Sequence, residues 1–367
     1  RDRSVSRGLG DVYKRQIDMN IEKPKVSLIM KVYNGEAYLK EAINSILNQT
    51  YQDFEFIIID DGSFDRSPDI VRQYTDERIR FLQNEQNMGL CATQNKAIQA
   101  ARGEYIAVMD CDDISYKTRL EKQVAFLDTN PEYIMCGSYR NSIVNGEEIP
   151  FLPIKELSNE SLQFSLYFGN MFFTHSSIMF RRKAYQEEGI SYGPAKYAED
   201  YQVIIEMAKK GKIYLLPERL IAYRIYGEST SQKKKDEMAQ IAADIKITHL
   251  KDLDIAGQEK TALEKYFADP ITELDFEEFI TCTEHVAQVC NADIQKDGNA
   301  GEIMNQIVNE YIWKMESYSL KKWIALRQSP YSRGLSVLQR DGFLLFVMSV
   351  LHYKKKKENL EINKYGG

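Results

Sequence analysis

Four apolar runs alternate with helix-like segments over residues 25–110, and this alternation constrains the fold more than any other feature of the chain. The runs are VSLIMKV from Val26, FEFIIID from Phe54, IRFLQN from Ile79 and EYIAVMD from Glu104. The first, second and fourth runs are mostly apolar without a regular alternation of polar residues, as expected of a strand buried on both faces, and the third is shorter and more polar. Strands of this kind that alternate with helices form parallel sheets covered on both sides. We therefore predict an α/β fold with a mostly parallel sheet and helices on both faces.

Polar and acidic side chains follow each of the four predicted strands. They are Tyr33 and Asn34 after the first, Asp60, Asp61, Gly62 and Ser63 after the second, Asn84, Asn87 and Gly89 after the third, and Asp110, Asp112 and Asp113 after the fourth. The carboxyl ends of parallel strands meet at one edge of the sheet, where ligands of α/β proteins bind. These side chains are therefore expected to line one ligand-binding edge.

The acidic character of this edge decides which ligand it suits. No G-x-G-x-x-G or G-x-x-x-x-G-K-[ST] sequence follows the first strand, which disfavours the common dinucleotide and phosphate loops. Carboxylates repel a phosphorylated ligand unless a hard divalent cation reverses the local charge. The D-x-D of Asp110 and Asp112 thus predicts a site for a metal-bridged diphosphate. The alternative is an Asp-rich turn whose carboxylates bind only their own backbone.

Composition disfavours other classes of function. The 367-residue chain carries a formal net charge of −6, so we expect no nucleic-acid partner. Its five cysteines form no C-x-x-C pair, so we expect a reducing compartment, the cytoplasm, and no structural zinc site. The sequence shows no signal peptide and no apolar run long enough to span a bilayer.

Five longer blocks occur in order over residues 25 to about 231. They are VSLIMKVYNGEAYLKEAINSILNQTYQDFEFIIIDDGSFD, NEQNMGLCATQNKAIQAARGEYIAVMDCDD, THSSIMFRR, AEDYQVIIEMAKKGKI and YRIYGESTS. Together they resemble glycosyltransferase family 2, the inverting enzymes of the GT-A fold, of the bacterial cell-surface polysaccharide type. The resemblance implies a nucleotide-diphosphate sugar donor, with a UDP-sugar foremost, a glycan or lipid-linked acceptor, and Mn²⁺ or Mg²⁺ as the metal.

The resemblance also assigns the nucleotide and metal residues. Tyr33 and Asp61 match residues that hold the nucleotide base, and Asn87 lies in the second of the blocks and is a further nucleotide-binding candidate. Asp110 and Asp112 match the D-x-D, in which one carboxylate contacts the ribose and the other the metal. Asp113 is expected to share this work.

Glu199 and Asp200 match the family's E-D pair, whose Asp is the general base. Inversion needs one carboxylate to accept the acceptor hydroxyl proton as that oxygen attacks the anomeric carbon, while a metal neutralises the departing diphosphate. A helix predicted from about Asp200, with Gly211 as its stop, puts this carboxylate in the first turn, where the helix dipole favours it. The alternative is that the pair only caps the helix.

Two further residues and two departures from the family pattern complete the site prediction. His175 lies in a block that suggests contact with diphosphate, metal or acceptor; the alternative is a hydrogen-bonded histidine at a strand end. Arg224 is a candidate contact to the leaving phosphate, or else a surface ion pair. Lys31 stands where many relatives have Pro or Thr, which bears on nucleotide preference, and Phe64 replaces a frequent Thr.

Three segments divide the chain. Residues 1–18 show no period and are expected to be foreign to the native chain or a disordered tail. Residues 19–232 are the expected catalytic domain, and residues 233–367 a helical C-terminal region. Within residues 321–357 nine basic residues accompany one acid, and GFLLFVMSVLHY precedes KKKK. This segment is suited to peripheral contact with the inner face of an anionic membrane; the alternative is a helix packed on the catalytic domain.

Two other functions fit parts of the pattern. A D-x-D-x-T phosphatase has its nucleophilic Asp after the first strand, with Thr or Val after the second Asp, whereas Asp113 and Ile114 follow here and the pair ends the fourth strand. The second alternative is a non-catalytic glycan-binding or scaffold subunit on a degenerate transferase fold. The intact carboxylates disfavour it.

Overall fold

The computed structural model describes residues 23–193, 197–227, 234–269, 271–294 and 298–315, together with residues 317, 322, 324 and 326. Residues 1–18, the predicted boundary at residues 232–233 and the apolar, basic C-terminal segment, except for residues 322, 324 and 326, lie outside the described residues. The chain divides into two compact units. The first comprises residues up to Pro150, Thr174–Ser191 and Arg219–Arg224, and the second comprises Phe151–Phe173, Tyr192–Glu218 and residues from Ile225 onward.

The elements are numbered in chain order. The strands are β1 Val26–Val32, β2 Phe54–Asp60, β3 Ile79–Gln83, β4 Tyr105–Asp110, β5 Ile114–Ser115, β6 Tyr133–Val144, β7 Glu147–Pro150, β8 Met179–Arg181 and β9 Lys212–Ile225. The helices are α1 Leu39–Leu47, α2 Ser67–Arg72, α3 Leu90–Ala100, α4 Arg119–Thr129, α5 Asn159–Phe168, α6 Arg182–Glu187, α7 Glu199–Lys210, α8 Lys235–Lys251, α9 Gly257–Ala268, α10 Phe276–Val289 and α11 Gly298–Lys314. A 3₁₀ turn covers His175–Ser177.

One sheet organises the first unit, with the strand order β3-β2-β1-β4-β8-β6-β9-β5 and β7 paired to β6. The pairs β1–β2, β1–β4 and β2–β3 are parallel. Strands β1 and β2 are buried at every position, which explains why they are mostly apolar; their buried polar residues are Ser27, Lys31, Glu55 and Asp60. The predicted α/β fold is confirmed, and the carboxyl ends of the first four strands share one edge.

The sequence did not predict the antiparallel extension of this sheet. Strand β8 pairs antiparallel with β4 and with β6, and β5 pairs antiparallel with the Ala222 region of β9. Strands β5 and β8 have only two and three residues. Runs this short carry no readable period.

The sequence LCATQNKAIQAARG predicts a helix that ends at Gly103, because glycine is a common residue at helix ends, and this prediction was wrong. Helix α3 ends at Ala100, three residues earlier. A Cβ atom on Gly103 would lie 2.4 Å from the backbone nitrogen of Ser27. The glycine is therefore explained by the close approach of this segment to β1.

The second unit is mainly helical. Helices α8–α11 surround an apolar core to which Phe279 and Tyr311 contribute a stacked ring pair, with centroids 4.4 Å apart. The helical C-terminal region predicted from the sequence is thus present over the described residues. None of the described helices is both long and apolar enough to span a membrane.

Candidate active site

Asp61 joins the loop after β2 to the loop after β3. Its carboxylate is buried and accepts four hydrogen bonds: from the Asn84 side-chain amide at 2.8 Å, the Met88 amide at 2.9 Å, the Gly89 amide at 3.0 Å and the Thr93 hydroxyl at 2.7 Å. All four donors belong to residues 84–93. The first role that the geometry gives Asp61 is therefore to fix this loop.

Gly62 is required where these two loops meet. Its φ of +72° lies in the left-handed region that favours glycine. An added Cβ would lie 2.7 Å from the backbone carbon of Gln86 and 2.8 Å from the nitrogen of Asn87. The predicted nucleotide residue Asn87 thus lies directly against the D-D-G-S loop, with its side chain exposed.

Asp60 is a site candidate that the sequence interpretation listed but gave no role. It is fully buried, and one carboxylate oxygen accepts hydrogen bonds from the Ser63 amide at 3.1 Å and the Gln83 amide at 3.2 Å. The other oxygen has no hydrogen-bond partner within the described part of the chain. A buried acceptor without a donor is unusual and costly. Asp60, like Asp61, is therefore a candidate to accept a hydrogen bond from a ligand.

Two aromatic side chains stand at the same edge. Tyr33 is about half exposed and Phe64 is 84% exposed. Their rings meet edge to face, with centroids 6.1 Å apart. The loops that carry them are tied together, because the Asn34 amide donates to Ser63 Oγ and the Phe64 amide donates to Asn34 Oδ1. The pair offers an exposed aromatic surface of the kind on which a planar base stacks.

Asp110 ends β4 and is held by the 3₁₀ turn. Its carboxylate lies 3.0 Å from His175 Nδ1 and 3.1 Å from Ser176 Oγ, and its own amide donates to Ser176 Oγ at 3.1 Å. Burial raises the pKa of Asp110, but the facing His175 and Lys31 charges and these hydrogen bonds outweigh it and leave the pKa well below its usual range. Asp110 is thus kept as an anion. The contact of His175 with Asp110 is the hydrogen-bonded histidine of the alternative interpretation, and its contact with diphosphate, metal or acceptor stays a prediction.

Asp113 is the third carboxylate of this cluster and is buried. It accepts hydrogen bonds from the Arg224 amide at 2.9 Å and from Ser176 Oγ. Burial and the nearby charges of Asp112 and Asp110 raise its pKa well above the usual value. The two outer carboxylates of D-C-D-D therefore differ in kind: Asp110 is an anion at the edge, and Asp113 is a buried anchor.

Arg224 holds the middle of this loop. Its Nε donates to the Asp112 carbonyl at 2.9 Å, its Nη2 donates to Glu41 at 2.6 Å, and its guanidinium lies 4.2 Å from the centre of the Tyr38 ring. The ion pair of the alternative interpretation is present, with Glu41, and the same guanidinium also supports the D-x-D backbone. Its contact with a phosphate remains a prediction.

The sequence interpretation missed two buried supports. Arg119 is fully buried and donates from Nη2 to the Val108 carbonyl at 2.8 Å and to the Ile178 carbonyl at 3.3 Å. It thereby joins the end of β4 to the segment after the 3₁₀ turn. Ser176 contacts both Asp110 and Asp113. Ser176 was within the quoted THSS block, whereas nothing in the local sequence pattern of Arg119 indicates its role.

The donor set of this loop is compatible with a hard divalent cation bound through few protein ligands. Over the described residues, no group of three or more His, Cys, Asp or Glu side chains is arranged to hold a metal ion alone. Mg²⁺-type sites at diphosphates use one or two carboxylates, with the phosphate oxygens and waters as the other ligands. Asp110 and Asp112, two residues apart in this loop, are the candidate carboxylates of this kind.

Glu199 and Asp200 lie in the second unit, in the first turn of α7. Glu199 is buried, and the Asp200 carboxylate accepts the Tyr201 amide at 2.8 Å. The helix is anchored within its unit by the Tyr201 hydroxyl, which donates to the Leu166 carbonyl. It ends before Gly211, as predicted. The catalytic role of the pair remains a prediction.

Solved structures of sugar transferases share this fold. The chain is similar to TarS of S. aureus, solved in complex with UDP-GlcNAc, with a TM-score of 0.53 and 19% identity over 78% of this chain and 89% of that chain. It is also similar to the mannosyltransferase PcManGT from Pyrobaculum calidifontis, solved with GDP-Man and Mn²⁺, with a TM-score of 0.52 and 15% identity over 93% and 91%. At these identities the likeness concerns the fold, which is that of the GT-A class.

Sequence relatives give the family. Residues 27–189 match Glycosyl transferase family 2. A glycosyltransferase of Methanocaldococcus jannaschii is 36% identical over 56% of this chain and 72% of its own length. TuaG of Bacillus subtilis, named for teichuronic acid biosynthesis, is 31% identical over 58% and 83%. The chain belongs to glycosyltransferase family 2, and it is a glycosyltransferase.

Proposed function

We propose that the protein transfers a sugar, with inversion, from a nucleotide-diphosphate donor to a hydroxyl group of a glycan or lipid-linked acceptor in cell-surface polysaccharide synthesis. A UDP-sugar is the first donor to test. One observation carries the proposal: Asp110 is kept anionic at the carboxyl edge of the sheet, next to Asp112, in a loop held from three sides by His175, Ser176 and Arg224.

The relatives support this choice of substrates. TarS was solved with UDP-GlcNAc and PcManGT with GDP-Man and Mn²⁺, so nucleotide sugars are the donors of related folds. TuaG is named for the biosynthesis of teichuronic acid. We extend the donor class and the polysaccharide context to this chain as part of the proposal.

In the proposed mechanism the first unit binds the nucleotide. Tyr33, beside Phe64, stacks on the nucleotide base. Asp60 and Asp61 accept hydrogen bonds from the base, and Asn87 lies next to them in the loop after β3. Asp110 contacts the ribose, and Asp112 with Asp110 would hold Mn²⁺ or Mg²⁺. The cation supplies positive charge that stabilises the leaving diphosphate. His175 and Ser176 keep Asp110 oriented, and Arg224 fixes the Asp112 backbone, so the carboxylates need no reorganisation when the donor binds.

The general base is proposed from the E-D pair alone. Asp200 accepts the proton of the acceptor hydroxyl while that oxygen attacks the anomeric carbon, and Glu199 supports its position or contacts the acceptor. One base and one displacement leave no covalent intermediate, and therefore the anomeric configuration inverts.

A thermal-shift screen of nucleotide sugars with Mn²⁺, Mg²⁺ or EDTA tests the donor, because a ligand that binds only the folded state raises the unfolding temperature. We expect a UDP-sugar to give the largest shift, and only when a divalent cation is present. The Asp69→Asn variant, which changes an exposed carboxylate, serves as a control. Absence of a shift for UDP-, GDP- and dTDP-sugars with either metal would refute the proposal.

A further inference from the structure

A basic cleft opens in the first unit at the amino ends of the parallel strands, on the sheet edge opposite the acidic loops. Its volume is about 440 Å³. Five cationic side chains and two acidic ones line it. The cations are Lys23, Lys25, Arg102, Arg182 and Lys183. The cleft thus has a formal excess of three positive charges in a chain whose net charge is −6.

The topology of the sheet brings these residues together. Lys23 and Lys25 directly precede β1, and Arg102 lies just before β4. Strand β8 runs antiparallel to β4 with Arg181 opposite Tyr105, so helix α6, which begins at Arg182, also starts at this end of the sheet. The cleft is therefore separated from the nucleotide loops by the length of β1, roughly 20 Å for seven residues.

Two arginines of the cleft are held in fixed positions. Arg102 binds one carboxylate oxygen of Glu55 with two nitrogens: Nε donates to it at 3.0 Å, and Nη2 lies 2.9 Å from it. The Glu55 side chain is only 3% exposed. Arg182 donates from Nε to the Gly103 carbonyl at 2.5 Å and from Nη1 to Gln186 at 3.1 Å. Guanidinium groups that are already ordered lose less conformational entropy when they bind a ligand.

The charges of the cleft are unequally compensated. Lys25 forms two ion pairs, with Glu104 and Asp128, both at 2.8 Å. Arg182, by contrast, contacts no carboxylate among the described residues, since its partners are a carbonyl and an amide oxygen. Beside it, Lys183 has only a long pair with Glu187, 3.8 Å apart and exposed. The uncompensated positive charge is therefore concentrated around Arg182.

We propose that this cleft is a second anion site, which binds a phosphoryl group through the guanidinium of Arg182 with Arg102, Lys23 and Lys183 around it. A planar guanidinium matches the oxygens of a phosphoryl group with two parallel hydrogen bonds. The cleft is concave and large enough for a phosphate bearing a small organic group. The same chemistry is offered by a soluble phosphate compound and by the headgroup of an anionic lipid. The site is independent of the proposed transferase function.

The test measures phosphate binding to the full chain in EDTA, so that a metal-dependent donor site is silent. Inorganic phosphate is titrated and followed by ³¹P NMR, and phosphatidylglycerol vesicles are tested in parallel by co-sedimentation. We expect saturable phosphate binding that Arg182→Gln weakens at least about tenfold, equivalent to ~1.4 kcal/mol. Arg72→Gln, the same charge change at an exposed ion pair elsewhere in the unit, should leave binding unchanged.

The variants separate the possible outcomes. Lys23→Gln with Lys183→Gln alters only peripheral side chains, so it keeps the test valid if Arg182→Gln does not fold, and it should weaken binding several-fold. Vesicle binding that needs Arg182, without binding of free phosphate, would identify a lipid headgroup as the source. The proposal is overturned if the wild type binds neither probe, or if the variants bind phosphate or vesicles as well as Arg72→Gln does.

Discussion

Replacing Asp61 by Asn tests whether this carboxylate organises the nucleotide loops. One oxygen of Asp61 accepts hydrogen bonds from Asn84, Met88 and Thr93, and the other accepts the Gly89 amide. In the Asn variant the remaining side-chain oxygen can still accept the hydrogen bonds from Asn84, Met88 and Thr93. The new NH₂ group, however, faces the Gly89 N–H, and two donors cannot form a hydrogen bond. One hydrogen bond is lost and three change from charge-assisted to neutral.

The magnitude follows from these contacts. A hydrogen bond to a charged group contributes about 1.5–3 kcal/mol and a neutral one about 1 kcal/mol. Losing one bond removes about 1.5–3 kcal/mol, and weakening three removes about 1.5–6 kcal/mol more. The free energy of unfolding therefore falls by about 3–9 kcal/mol, and the lower end of this range applies where the loop recovers part of the cost by opening to water. A domain of this kind has a total stability of about 5–15 kcal/mol, so we expect the variant to fold with a loosened loop at residues 84–93.

Urea unfolding followed by circular dichroism measures the stability, and hydrogen exchange of the Met88 and Gly89 amides reports the loop. Asp69→Asn is the matched control, because Asp69 is largely exposed and pairs only with Arg72 within helix α2. It should cost less than about 1 kcal/mol. The reasoning is refuted if Asp61→Asn costs no more than Asp69→Asn, with both amides as protected as in the wild type.

Three further predictions concern other carboxylates. Asp112→Asn should abolish Mn²⁺-dependent UDP binding by calorimetry with little change in melting temperature; unchanged affinity would refute the metal assignment. Asp200→Asn should keep UDP and Mn²⁺ affinity and lower turnover about 10²–10⁴-fold, and NMR of the wild-type product should show inversion; near-normal turnover would move the base elsewhere. Burial raises the pKa of Glu55, but hydrogen bonds from Ser27, Arg80 and Arg102 outweigh burial and lower that pKa below its usual value. The stabilisation by ionised Glu55 is therefore complete above the pKa of the unfolded state, and it is lost as the pH falls through the pKa of the folded state. Glu55→Gln should therefore cost about 3–5 kcal/mol at pH 7 and flatten the acid side of the urea-stability profile; an unchanged profile would contradict the assignment.

The parallel part of the sheet was predictable because burial leaves a direct trace in sequence. Strands β1 and β2 are buried at every position, and most of their residues are therefore apolar, without the regular alternation of a half-exposed strand. The edge that gathers Asp61, Asp110 and Asp112 followed from the same pattern, since parallel strands share a carboxyl end.

The rest depends on contacts between distant segments, which leave no local period. Ser176 and Arg119 act on Asp110 and β4 from other parts of the chain, and each is an ordinary polar residue in its own neighbourhood. Gly103 was interpreted by a local rule for helix ends, whereas its cause is the backbone of Ser27, 76 residues earlier. Asp60 and Asp61 are adjacent in sequence, and only the hydrogen-bond pattern separates their roles.

The backbone and side-chain contacts of Arg224 have a consequence for the order in which the protein folds as it is made. Its amide reaches Asp113, 111 residues earlier, and its guanidinium reaches Glu41, 183 residues earlier. During synthesis the whole D-C-D-D sequence leaves the ribosome more than a hundred residues before the strand that secures it. Contacts over such separations form late, because closing the intervening chain costs entropy before they stabilise anything. The nascent protein therefore has all of its predicted metal ligands long before it has a rigid place for them, and strand β9 sets the moment at which the loop becomes fixed.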